Sequence, residues 1–139
     1  MNELFVYVDG GARGNPGPSA VGVYIVDQNK KEVNKISETI GHATNNVAEY
    51  SAVVKALSWI AMNVTKNDYS KINFFMDSQL VCSQIKGLYK VKNSDLRNLL
   101  FSVRELEAKI QIPIFYNLIP REKNYEADLL VNKALDNSL

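Results

Sequence analysis

The sequence contains a single cysteine, Cys82, and a single histidine, His42. One cysteine excludes an intramolecular disulfide and any zinc site built from several cysteines. No apolar run approaches the ~18 residues of a membrane span, and the first residues, MNELFVYVDGG, reach Asp9 too soon for a signal peptide. These absences favour a soluble protein of a reducing compartment, which we expect to be cytoplasmic and to have no membrane partner.

The chain also lacks an excess of charge of either sign. Sixteen Lys and Arg against fifteen Asp and Glu leave a formal charge of +1. Taken alone, this balance argues against a protein that holds nucleic acid by bulk positive charge. The hydrophobic fraction of 46% is ordinary for a folded protein, and we expect one domain over residues 1–139.

Apolar periodicity predicts an alternation of strands and helices in the order β-β-β-α-β-α-α-β-α. The first strand is expected over residues 4–8, with a turn at Asp9-Gly10-Gly11. Helical spacing begins near Thr44, and Asn124 is expected to cap the last helix. Short turns join the first three strands, which favours an antiparallel meander, and helices separate the others. The pattern predicts an α/β fold with one mixed sheet and helices on its faces.

Four carboxylates stand at strand ends or in the early turns of helices. Asp9 and Asp77 follow predicted strands, Asp128 lies in the first turn of the last helix, and Glu49 falls on the apolar stripe of its helix. Each has an ordinary structural alternative: a turn for Asp9, an N-cap for Asp77, the helix dipole for Asp128 and a rim position for Glu49. The functional interpretation therefore depends on their joint placement.

If the strands before Asp9 and Asp77 are neighbours, all four carboxylates can meet at one edge of the sheet. Like charges placed together repel unless divalent cations neutralise them. Oxygen ligands without nearby His or Cys favour Mg²⁺ or Mn²⁺ over zinc. Two such ions ~3.5–4 Å apart are suited to in-line phosphodiester hydrolysis.

Four segments resemble type 1 ribonuclease H in order, spacing and residue type: YVDGGARGNPGPSAVG, TNNVAEYSAVVKAL, MDSQLV and REKNYEADLLVNKAL. The similarity extends over residues 4–136. It implies the ribonuclease H-like sheet of five strands, three antiparallel and then parallel, with helices on both faces. The resemblance also implies cleavage of the RNA strand of an RNA–DNA hybrid, which leaves 5′-phosphate and 3′-hydroxyl ends.

By this resemblance, the catalytic residues that bind two Mg²⁺ or Mn²⁺ ions are Asp9, Glu49, Asp77 and Asp128. The implied contacts with the minor groove and the 2′-hydroxyls are Asn15, Asn45, Asn46, Ser78 and Gln79. Gly10 and Gly11 are also implied to bind the substrate, since they let the chain pass close to a backbone. Thr44 and Asn93 match positions that hold a phosphate of the DNA strand. Helix capping by Asn45 or Asn46 is the structural alternative. The implied partner is the hybrid, without an obligate protein partner, and we expect a monomer.

The chain departs from the family in two places. Leu118 stands where many members have a loop histidine, and we hypothesise that Glu122 takes part of its role. The segment 86–92 replaces the basic, tryptophan-containing protrusion of some members, so we expect weak, salt-sensitive binding with few phosphate contacts.

Two other functions compete with this interpretation. One is a DNA-cutting nuclease or strand-transfer domain on the same fold, and the other is a non-catalytic module that binds hybrids.

Overall fold

The computed structural model describes residues 2–138, which form one sheet flanked by helices. The strands are β1 (Glu3–Ala12), β2 (Gly17–Asp27), β3 (Glu32–Ala43), β4 (Lys71–Met76) and β5 (Ile114–Leu118). The helices are α1 (Asn45–Asn63), α2 (Gln79–Ile85), α3 (Ser94–Ile110) and α4 (Tyr125–Asn137), with a 3₁₀ turn at Arg121–Lys123.

The five strands lie in the order β3-β2-β1-β4-β5. β1 pairs antiparallel with β2, and β2 pairs antiparallel with β3. The pairs β1–β4 and β4–β5 are parallel. The predicted mixed sheet, antiparallel and then parallel, is confirmed.

The prediction that β1 ends at residue 8 is wrong. The strand continues through Gly10 and Gly11 to Ala12, because these residues pair with β2 as far as Ser19. Pairing with β4, in contrast, stops at Tyr7. β1 and β4 therefore separate just before Asp9, and this opening between parallel strands creates space for a site at their carboxyl ends.

Alternate residues of β1 face opposite layers of the protein. Leu4, Val6 and Val8 are fully buried beneath α1, which in turn packs against α3. Fully burying a side chain of this kind contributes about 1.5–3 kcal/mol. α4 covers the other face, where it packs over β2, β3 and β1. The expected helices on both faces are confirmed, and they hold β1 from both sides.

No helix within residues 2–138 combines the length and the apolar character needed to cross a lipid bilayer.

Candidate active site

Three of the four predicted carboxylates converge where β1 and β4 separate. Each of Asp9, Glu49 and Asp77 offers an oxygen, and these atoms all lie within 4.8 Å of one another. They come from three elements: β1, α1 and the residue that follows β4. Asp9 and Glu49 are both 8% exposed. The cluster is thus held by the rigid elements of the fold and largely withdrawn from water.

Glu49 reaches Asp9 because α1 lies directly on β1. Thr44 Oγ1 accepts a hydrogen bond from Val47 N at 3.2 Å, so the helix begins at Asn45. A Cβ atom at Gly10 would stand 2.1 Å from the backbone oxygen of Ala48. Only glycine permits this approach. The first turn of α1 therefore rests on the strand and brings Glu49 beside Asp9.

Asp77 is free to face the cluster because its neighbour caps α2. Ser78 Oγ accepts a hydrogen bond from Val81 N at 3.3 Å, so the capping role considered for Asp77 belongs to Ser78. The Asp77 carboxylate instead accepts a hydrogen bond from Asn124 Nδ2 at 2.8 Å. Arg121 Nε lies 3.9 Å from the second carboxylate oxygen of Asp77.

Asn124 is the N-cap residue of α4, as predicted, and its backbone oxygen accepts a hydrogen bond from Asp128 N at 3.2 Å. The side-chain capping hydrogen bond typical of this position is absent. The side-chain amide instead donates to the backbone of β1 and to Asp77.

The carboxylate cluster places several negative charges in a largely buried site. The pKa of Asp9 is raised to about 7, chiefly by burial and also by the nearby Asp77 and Asp128, although hydrogen bonds with Glu49 and Gly10 oppose the shift. Burial also raises the pKa of Glu49, and Asp9 adds to the effect. These carboxylates cannot all be ionised at neutral pH unless a cation joins them. An all-oxygen donor set of this kind fits Mg²⁺ or Mn²⁺.

Asp128 lies at the same site but outside the tight cluster. It stands in the first turn of α4 and lines a cleft of about 510 Å³ together with the three clustered carboxylates. Its carboxylate is not part of the group within 4.8 Å. The structure thus brings all four acids to one cleft.

The predicted substrate-contact residues surround the same cleft. Those that line it are Gly10, Gly11, Asn45, Asn46, Ser78 and Gln79. Asn15, Thr44 and Asn93 meet Asn46 in an adjoining cavity of about 260 Å³. The capping alternative for Asn45 and Asn46 is wrong, because Thr44 caps α1 and Asn45 Oδ1 accepts from Ala12 N at 2.9 Å. Both asparagines are exposed and can offer polar groups to a ligand.

Glu122 is exposed on the 3₁₀ turn and is not among the residues that line the cleft. The neighbouring Arg121 lines it instead. The accessory role of Glu122 stays a prediction. Neither the place of Arg121 in the cleft nor the contact of Asn124 with Asp77 was predicted from the sequence. The signal that could have found Arg121 was a basic residue in the loop that lacks the family's histidine.

Known proteins resemble this chain over nearly its whole length. A family model described as reverse transcriptase-like matches residues 7–134. The ribonuclease HI of Halobacterium salinarum is 39% identical over 136 residues, which cover 98% of this chain and 66% of that protein. The bifunctional protein Rv2228c of Mycobacterium tuberculosis is 36% identical over 135 residues. This chain spans 36% of the length of that mycobacterial protein.

A solved structure extends the similarity to three dimensions. The crystal structure of LC11-RNase H1 in complex with an RNA/DNA hybrid matches with a TM-score of 0.92 at 39% identity, over 97% of this chain and 98% of that one. The sheet order and the carboxylates at its open edge define a protein with the ribonuclease H fold. The sequence similarity is more specific: this chain belongs to the type 1 ribonuclease H family, as its motifs predicted.

Proposed function

We propose that the protein is an endoribonuclease that hydrolyses the RNA strand of RNA–DNA hybrids with two divalent metal ions. The products have 5′-phosphate and 3′-hydroxyl ends. The observation that carries the proposal is the buried cluster of Asp9, Glu49 and Asp77 in a cleft lined by polar residues. Its membership of the ribonuclease H family, and the hybrid bound to LC11-RNase H1, support the choice of substrate.

Asp9, Glu49 and Asp77 would hold the metal ions, and Asp128 would complete the set from the first turn of α4. Bound Mg²⁺ or Mn²⁺ would supply Lewis-acid stabilisation of the charge that develops on the scissile phosphate and a lowered pKa for the attacking water. The protein itself contributes to catalysis by holding the metal-binding carboxylates in place. β1, α1 and the residue after β4 fix three carboxylates before the substrate arrives, which reduces the reorganisation needed during the reaction.

Selection of RNA falls to the polar residues of the cleft. Asn45, Asn46, Ser78 and Gln79 line it beside the carboxylates, and their amide and hydroxyl groups suit 2′-hydroxyl recognition in a minor groove. Thr44 and Asn93 meet in the adjoining cavity, where the side chains and helix N-termini suit a phosphate of the DNA strand. A DNA duplex lacks the hydroxyls that the first group would bind. This argues against a DNA-cutting nuclease.

A cleavage assay with matched substrates tests the proposal. Hybrid, double-stranded DNA and double-stranded RNA of one sequence are incubated with Mg²⁺ or Mn²⁺, and the product ends are identified by their behaviour toward ligase and phosphatase. We expect ligatable RNA products from the hybrid. In Asp77→Asn the cleavage rate should fall by at least about a hundredfold. Equal cleavage of duplex DNA would favour the DNA-cutting alternative. Hybrid binding without cleavage would favour the non-catalytic module. The monomeric state and cytoplasmic location stay predictions.

A further inference from the structure

A row of aromatic side chains crosses the face of the sheet beside α4. Tyr24, Tyr7 and Phe75 are neighbours in register on β2, β1 and β4. The ring centroids of Tyr24 and Tyr7 are 6.3 Å apart, and those of Tyr7 and Phe75 are 4.9 Å apart. α4 packs over β1, β2 and β3 and begins beside this row. The rings therefore form the floor of an open surface next to the start of the helix.

A cavity of about 260 Å³ opens between this floor and the first turn of α4. We call it the tyrosine pocket, and its residues are Tyr7, Tyr24, Val26, Lys30, Lys123, Tyr125 and Glu126. Tyr125 is 59% exposed and presents its ring to solvent. Within residues 2–138, the hydroxyl groups of these three tyrosines make no hydrogen bond. The pocket thus combines aromatic surface with free hydrogen-bonding groups.

The side chains that line the tyrosine pocket carry a small net positive charge, since Lys30 and Lys123 stand against one acid, Glu126. Lys35 Nζ lies 5.7 Å from the centroid of the Tyr24 ring. It adds little net charge, because it forms an ion pair with Glu32 at 3.2 Å and also interacts favourably with Glu126. Aromatic rings beside lysine side chains are the features that bind unpaired nucleotides with little regard to sequence. The tyrosine pocket is therefore complementary to a nucleic-acid strand, which offers bases to the rings and phosphates to the lysines.

The tyrosine pocket is also next to the candidate active site. Tyr7 is two residues before Asp9 on the same face of β1, about 7 Å away by strand geometry. Tyr125 directly follows Asn124, whose side chain contacts Asp77. A strand that leaves the cleft can therefore reach the pocket.

We propose that the tyrosine pocket binds an unpaired nucleotide of a single strand continuous with the hybrid in the cleft. The base stacks on an exposed tyrosine ring, Lys30 or Lys123 pairs with a phosphate, and the free hydroxyl groups bond to base edges. This inference rests on the proposed function, since it supposes that a hybrid occupies the cleft. It extends the substrate class from plain hybrids to hybrids that adjoin a single strand.

The test compares a short blunt hybrid with hybrids that carry an unpaired extension at one strand end, each end in turn. Fluorescence anisotropy in the presence of a chelator measures affinity without cleavage. At least one extension should tighten binding about fivefold or more, the lower range for one stacked base. Tyr125→Ala should abolish this gain and Lys123→Gln should reduce it, with blunt-hybrid affinity unchanged. Phe101→Ala, which removes an exposed ring of α3, is the matched control.

The proposal is wrong if no extension tightens binding, or if the gain persists in both Tyr125→Ala and Lys123→Gln. It is also wrong if the wild type is a dimer in solution, Tyr125→Ala is a monomer and the gain is unchanged, since the pocket would then join two copies of the chain. Cleavage of the blunt hybrid separates the two proposals. Intact cleavage without an extension effect overturns only the pocket, whereas no binding or cleavage of any hybrid overturns both.

Discussion

Asn124 Nδ2 lies 2.8 Å from Asp77 Oδ2 and donates a hydrogen bond to it. The same nitrogen donates to the backbone oxygen of Val8 at 2.9 Å. Asn124 is 1% exposed, and its Oδ1 has no hydrogen-bond partner among residues 2–138. One buried amide therefore links the carboxylate after β4 to the strand that carries Asp9. The link crosses the opening between β1 and β4, where no backbone pairing holds the strands together.

We expect Asn124→Ala to weaken metal binding, because it removes the hydrogen bond that holds the Asp77 carboxylate in place. Loss of a supporting hydrogen bond of this kind typically costs 10- to 100-fold in metal affinity. Titration calorimetry with Mn²⁺ measures the effect without turnover. Asn137→Ala removes an exposed amide at the other end of α4 and is the control. Wild-type Mn²⁺ affinity in Asn124→Ala would contradict the role.

The raised pKa of Asp9 predicts how stability depends on pH in the metal-free protein. Folding raises this pKa from 3.8 to about 7, so the folded state holds the proton more tightly than the unfolded state. Stability contributed by the protonated form is therefore lost as pH rises through this window. Asp9→Asn should be more stable than the wild type at about pH 8, by up to about 4 kcal/mol. This difference in stability should be smaller at about pH 5.

Urea unfolding in a chelator at several pH values measures this difference. Glu105→Gln removes an exposed carboxylate from α3 and is the control. If Asp9→Asn is less stable than the wild type at about pH 8, the predicted strain on the ionised cluster is absent. Added Mg²⁺ or Mn²⁺ should stabilise the wild type more than the variant, because the ions bind the folded carboxylates.

Much of the fold could be predicted because local patterns and tertiary packing agree. The helical spacing of Val53, Ala56 and Ile60 reflects the face of α1 that is buried on the sheet. The end of β1 could not be predicted in this way. Asp9-Gly10-Gly11 has the composition of a turn, but pairing with β2 overrides that preference. The glycines serve a different purpose, since Gly10 makes room for α1.

The candidate site, like the fold, could be predicted from the sequence only in part. The sequence identified the four acids, and only the adjacency of β1 and β4 decides that Asp9 and Asp77 meet. Capping chemistry alone could not separate Asp77 from Ser78, because both residue types cap helices and the backbone decides between them. The contact of Asn124 with Asp77 joins residues 47 positions apart, and no local pattern encodes it.

Substitutions at Gly10 and Gly11 test whether α1 packs directly on β1. A Cβ at Gly10 would meet the backbone of Ala48 at 2.1 Å, whereas a Cβ at Gly11 would meet only Val131 Cγ1, at 3.5 Å. Backbone cannot yield as a flexible side chain can, so we expect Gly10→Ala to cost about 2–4 kcal/mol of stability. Gly11→Ala should stay within about 1 kcal/mol of the wild type. Similar denaturation midpoints for the two variants would contradict the close packing of α1 on β1.

Segment 86–92 predicts a modest electrostatic contribution to hybrid binding. It contains Lys86, Lys90 and Lys92, which are exposed. Replacing all three with glutamine should weaken binding and lower the salt dependence by at most about three units of slope, one for each lost phosphate contact. Affinity measured across a range of salt concentrations checks this. An unchanged slope would mean that the lysines remain solvated in the complex.

Arg121 lines the cleft beside Asp77. Its Nε lies 3.9 Å from Asp77 Oδ1, and its side chain is 86% exposed at the cleft. Although the Asp77 side chain is only 6% exposed, the Arg121 side chain is solvated and the contact is long, so we expect the unfolding free energy of Arg121→Gln to lie within about 0.5 kcal/mol of the wild type. Its charge is instead available to a phosphate in the cleft, and its loss should raise KM for the hybrid and lower the salt slope by about one. Lys66→Gln removes one exposed positive charge before β4, at the end of the strand opposite Asp77, and is the matched control. Glu122→Gln, measured alongside, tests the accessory role predicted for that residue, which unchanged turnover at saturating substrate would contradict. An Arg121→Gln enzyme with wild-type KM and salt slope would show that Arg121 does not contact the substrate.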